Sequence, residues 1–201
     1  MRTVATPRRY TLVAIVLHWL IALGILALLG LGLAMTRGSL PPMDRFAFYQ
    51  WHKSVGITVL GLMVLRVAWR LFNRPPPLPA AMPKAEKRAA GAAHLALYGL
   101  LVAMPLVGWA MVSASPYNIP TVLYGTIPWP HLPVLPELPN KAAVEGALKL
   151  VHSTGAWLLM ALLVLHVGAA LRHHLALRDD TLWRMLPLVR RPGPKPEVSP
   201  R

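Results

Sequence analysis

The sequence contains no cysteine in its 201 residues. That excludes disulfides, thiol catalysis, iron–sulfur clusters and thiolate zinc sites, so any metal or cofactor must be held by nitrogen or oxygen ligands. Acidic residues are scarce, 7 Asp and Glu against 21 Lys and Arg, which leaves a net charge of +14. Charge of either sign is missing altogether from Tyr10 to Met35 and from Gly91 to Ser115. Each run exceeds the roughly 20 residues that cross a hydrocarbon core about 30 Å thick, so both are expected to span a membrane. No internal repeat is present.

Two further apolar runs, near residues 48–72 and 148–172, hold a few ionisable residues but reach the same length. With spans at about 10–35 and 91–115 they give four. The expected fold is all-α, an integral membrane four-helix bundle over residues 1–187, followed by a disordered tail over residues 188–201. The basic residues flank the spans and form no separate basic domain, so nucleic acid is not the partner. Arg2, Arg8 and Arg9, the linker group Arg74, Lys84, Lys87 and Arg88, and the tail cations outnumber those of the other loops. The positive-inside rule then puts both termini in the cytoplasm. The first span follows Arg8 and Arg9 like a signal peptide, but it is about twice a typical apolar core of one and is read as retained. Prolines forbid regular helix in the outer loop SPYNIPTVLYGTIPWPHLPVLPELPN, which is expected to act as a lid.

Ionisable groups inside a span are costly and mark function by default. On an α-helix 14 residues advance about 21 Å and turn four times less about 40°, so His152 and His166 share one face at two depths. His18 on the first span matches the depth of His166, and His52 on the second matches His152. A lone buried histidine is usually structural, but four at matching depths are not. Zinc would want three or four ligands at one depth, and each depth offers two. A proton relay would want carboxylates, and the spans hold none. Paired imidazoles in a cysteine-free bundle suit two six-coordinate haems with no open position, and hence electron transfer.

Arg66 follows His52 by the same 14 residues and faces the bundle at the depth of the inner pair, where a haem propionate would neutralise it. Arg70, one turn on, pairs likewise or reaches the headgroups. His173 and His94 stand at the inner side, open to a propionate, a quinone or a plain interfacial role. Gly56, Gly155 and Gly168 lie near the ligand histidines, where a missing side chain admits a flat macrocycle or simply a neighbouring helix. Near the outer pair, Lys53, Arg45 and Lys149 form a cationic mouth that would concentrate a small anion, unless they only snorkel.

The segments LHWLIALGILALLGLGL, WHKSVGITVLGLMVLRVAWRL and VHSTGAWLLMALLVLHVGAALRHHLALRDDTLWRMLP resemble the bacterial cytochrome b561 family over most of residues 8–187. The resemblance implies a transmembrane di-haem cytochrome of the bacterial inner membrane. It implies two haem b groups, the inner on His18 and His166 and the outer on His52 and His152. Some members are superoxide oxidases that pass an electron from superoxide through the haems to ubiquinone, and the cationic mouth fits that activity. Other members have a partner redox protein or dehydrogenase as donor, for which this chain would be an electron conduit to the quinone pool.

Overall fold

A computed structural model describes residues 9–79 and 82–187. Four long helices carry the chain back and forth: α1 Leu12–Arg37, α2 Pro42–Phe72, α3 Lys84–Ser113 and α4 Lys141–Leu175. All four are long and apolar enough to cross a membrane. The expected tail, residues 188–201, lies outside the described residues.

Local chemistry sets the helix ends. Thr11 caps α1, its side-chain oxygen accepting from the Ala14 N–H at 3.3 Å. Proline sits at the first position of α2, where its missing N–H costs nothing, and Pro83 precedes α3. The run of Pro75, Pro76 and Pro77 follows soon after α2 ends. Three helices begin earlier than the apolar runs suggested, α2 at residue 42, α3 at 84 and α4 at 141. An apolar run measures bilayer thickness, whereas hydrogen-bonded turns continue into the polar interface.

Helix α1 packs on α2, α2 on α3 and α3 on α4, an up-and-down order. The start of α1, the end of α2, the start of α3 and the end of α4 therefore share one end of the bundle, here the terminal end. The α1–α2 turn and the long α3–α4 connection share the other, the loop end. Ile21, Ile25, Val59, Met63, Leu97 and Leu159, contributed by all four helices, form one apolar layer in the middle. Elsewhere large apolar side chains such as Leu23, Leu26, Val64, Leu95 and Val164 are exposed along the helices. That is the surface of a bundle solvated by lipid.

The long connection holds no α-helix, as its prolines dictate, but it carries a small hairpin. Strands β1 Thr121–Leu123 and β2 Ile127–Trp129 pair antiparallel, Thr121 opposite Trp129. Tyr124 and Gly125 both have positive φ, 52° and 72°, and Thr126 N–H bonds back to Leu123 C=O at 3.0 Å, a tight hairpin turn. Left-handed backbone is unfavourable for tyrosine, and three contacts to α2 hold it there. Tyr124 N–H donates to Ser54 Oγ at 3.0 Å, its hydroxyl bonds Thr58 at 2.6 Å, and its ring meets Trp51.

The middle layer yields a test. A side chain at Gly24 would collide with Val59, whereas one at Gly30 meets nothing within 4 Å. Gly24→Leu should destabilise the bundle by about 1–3 kcal/mol through overpacking. Gly30→Leu should leave it unchanged, both read as thermal unfolding midpoints in detergent.

Candidate functional site

Two histidine pairs cross the interior at opposite ends. His18 of α1 faces His166 of α4 with ring centres 6.2 Å apart and planes at 64°. His52 of α2 faces His152 of α4, again at 6.2 Å, with planes at 69°. Two imidazoles on opposite sides of one metal, each with a bond of about 2 Å, would hold their ring centres about 6 Å apart. Both pairs thus have the separation of a shared metal, at both depths.

The surroundings leave room for a larger group. Neither α1 with α4 nor α2 with α4 is among the closely packed helix pairs, so each histidine pair bridges an opening. A Cβ at Gly108 would stand 3.1 Å from His152 Cε1, and one at Gly32 would stand 3.7 Å from His52 Cε1. These two glycines make the room for the rings at the loop end. Gly155, by contrast, admits the Met104 side chain, Gly56 has only Leu28 within 4 Å, and Gly168 faces open space. The donor set, the separation and the openings fit haem.

The terminal-end pair has company that linear spacing did not show. His94 of α3 lies 5.7 Å from His166, so three imidazoles gather at this depth. His94 is also exposed on its other side. Trp19 stands against His18 at 5.5 Å. Arg66 is held from two sides: Nε donates to Tyr98 Oη at 2.9 Å and Nη1 to the Ala14 carbonyl at 2.8 Å, one turn from His18. Arg66 and Arg70 both lie over the Tyr98 ring, at 5.6 and 5.4 Å.

His173 stands apart from the pairs, in a clamp. Its Nδ1 meets Asp179 at 2.5 Å and its Nε2 meets Glu86 at 3.1 Å, while Arg172 bonds the same Glu86 at 2.6 Å. Both ring nitrogens are engaged and the ring is buried, so the start of α3, the end of α4 and the segment after it are tied together. Burial pushes the Asp179 carboxyl up, but hydrogen bonds from His173 and Thr181 outweigh it and hold the group below its ordinary value. The same segment straps the bundle: Trp19 donates to Met185 C=O, Arg9 to Leu186 C=O and Arg184 to Pro77 C=O.

At the loop end Lys53 is partly covered, its ammonium donating to Pro120 C=O at 3.1 Å beside Gln50, which reaches the same oxygen at 3.4 Å. Arg45 and Lys149 are exposed. Arg37 lies over the Trp157 ring at 5.2 Å, joining the end of α1 to α4. Trp109 packs on Trp129 and donates to Pro130 C=O, fixing the connection to α3.

Comparison with known proteins decides the family. A sequence profile described as prokaryotic cytochrome b561 matches residues 9–188. The chain belongs to that family. It is 37% identical over 183 residues to cytochrome b561 homolog 2 of Escherichia coli (strain K12), covering 90% of this chain and 93% of the relative. It is 31% identical over 186 residues to the probable superoxide oxidase CybB of Yersinia pestis, covering 91% and 98%. Cytochrome b561 homolog 1 of Escherichia coli (strain K12) is 30% identical over 138 residues, 68% of this chain and 73% of the relative. As a cytochrome b561 family member, this four-helix bundle is a bacterial membrane protein that binds haem b and transfers electrons.

The clamp gives the test of this section. Asp179→Asn removes a charge-assisted bond and should cost about 1.5–3 kcal/mol at pH 7. Because the folded value of Asp179 is depressed, its stabilisation is present above the ordinary carboxylate range near 4 and fades as pH falls through the folded value. Unfolding midpoints of parent and variant should therefore differ at pH 7 and converge only as pH falls below the ordinary carboxylate range.

Proposed function

We propose that this cytochrome b561 holds two haem b groups, one on His52 and His152 and one on His18 and His166, and moves electrons from superoxide to ubiquinone. The observation that carries this reading is the equal 6.2 Å spacing of two histidine pairs at opposite depths. The haems would supply one-electron redox chemistry that no side chain here provides. The protein supplies ligation, insulation and charge. Two imidazoles at each level would hold one haem, and an apolar layer around Met63 separates the levels. Arg66 and Arg70 stand where anionic propionates would be neutralised.

By the positive-inside rule the loop end is periplasmic and both termini are cytoplasmic. Arg45 and Lys149, with Lys53 beneath the hairpin, would draw superoxide toward the pair at that end. Of the two histidines that suit the quinone, His94 is the better supported: it touches His166 and is exposed, whereas both nitrogens of His173 are engaged. Two superoxide ions would become dioxygen, and one quinone would take up two electrons and two protons to become quinol.

A second reading, a conduit for a partner redox protein, is favoured by apolar exposure on the α3–α4 connection, at Tyr117, Ile119, Ile127 and Val134. The deciding experiment adds potassium superoxide to the oxidised, haem-loaded protein with ubiquinone present. Rapid reduction of a b-type absorption band and steady turnover are expected. His52→Ala should lose the fast phase, and Lys149→Glu should slow it on the order of tenfold at low salt. If superoxide does not reduce the haem, the superoxide reading fails and the conduit stands.

A further inference from the structure

At the terminal end, between the start of α1, the end of α2 and Tyr98 of α3, lies a cavity lined by Arg9, Arg66, Arg70 and Arg74 together with Tyr10 and Tyr98. No carboxylate lines it. The acidic residues explain why this matters. Glu86, Asp179 and Asp180 are the described carboxylates at this end, and their ion pairs are with Arg172, His173 and Arg184. Asp44, Glu137 and Glu145 belong to the loop end. Among the described residues, the four cavity arginines thus have no carboxylate partner, although they repel one another at close quarters.

The arginines are held in place by other means. Arg66 is fixed by Tyr98 and Ala14, Arg70 shares the Tyr98 ring, and Arg9 is tethered to Leu186. Trp69 donates to Thr11 Oγ1 at 2.8 Å, locking the end of α2 to the start of α1. Preorganised guanidiniums without a counter-charge make an anion site. Burial pushes the Tyr10 phenol above its usual value, against the pull of Arg70 and Arg66, so its hydroxyl stays a neutral donor.

One haem brings propionates to Arg66, but Arg9 and Arg74 flank the spans and are exposed. Beside them stand Leu12, Leu71 and Phe72, exposed by 63%, 76% and 86% where helices meet lipid. Basic pockets between spans at such an interface take phospholipid headgroups. We propose that this cavity binds the phosphate of an anionic phospholipid, with Arg9 and Arg74 on the headgroup and the acyl chains along Leu12, Leu71 and Phe72. The bound lipid would supply the counter-charge that the chain withholds and would brace the α1–α2 contact next to His18.

The test is native mass spectrometry of the haem-loaded full chain in detergent, titrated with dioleoylphosphatidylglycerol or dioleoylphosphatidylcholine. The anionic lipid should bind about tenfold more tightly. A double variant Arg9→Gln, Arg74→Gln should erase that preference while its haem absorption spectrum stays that of the parent. Equal affinity of the parent for the two lipids overturns the proposal, and this comparison stands even if the variant folds poorly. An unchanged preference in a folded variant overturns it too. Inorganic phosphate at tens of millimolar should leave the lipid bound, and displacement by phosphate alone would reassign the site to a soluble anion.

Discussion

The bundle depends on one helix face. Helix α4 carries His152 and His166 on the same side, about 21 Å apart by helix rise, and every other element is arranged to meet them. His52 must arrive from α2 at one level and His18 from α1 at the other, yet neither helix packs closely on α4. The rigidity lost there is recovered in the contacts α1–α2, α2–α3 and α3–α4 and in the single apolar layer that crosses all four helices midway. A bundle packed tightly throughout would close the openings that a planar cofactor needs, because interiors tolerate few voids. Gly32 and Gly108 show the same economy at atomic scale, each leaving out one side chain where an imidazole must stand.

The shortage of acid shapes the two ends differently. Three carboxylates near the terminal end are spent on the clamp and strap, binding Arg172, His173 and Arg184. Those interactions close the bundle beneath His18 through Trp19 and Met185. They also leave a separate cluster of arginines for ligands that carry their own negative charge. At the loop end closure comes instead from neutral hydrogen bonds and ring contacts of the hairpin on α2 and α3. Exposed cations there keep their full charge for an approaching anion.

Much of this was legible in the sequence because helices are local objects. The 14-residue spacing of His152 and His166 and the depths of His18 and His52 along their spans needed only helical geometry, and the depths pair His18 with His166 and His52 with His152 as the structure brings them together. What stayed hidden came from contacts between distant segments. Nothing near His173 in one span announces Glu86, 87 residues away, so the sequence left its role open between a ligand contact and an interfacial position and did not show the clamp. His94 looked peripheral because its approach to His166 depends on how α3 leans on α4. The hairpin left a trace, the Tyr-Gly pair between short β-branched runs, but the prolines on either side obscured it.

The difference between His94 and His173 also bears on how electrons would leave. A quinone lives in the bilayer, so its contact must be reached sideways from lipid rather than through the strapped end. His173 is buried behind Glu86, Asp179 and the strap, and using it would break an ion pair. His94 touches His166 on one side and is exposed on the other, so it links the terminal-end imidazole pair to the surface of the bundle. On the proposed quinone reading, strapping one end while leaving that flank open would favour lipid-soluble acceptors.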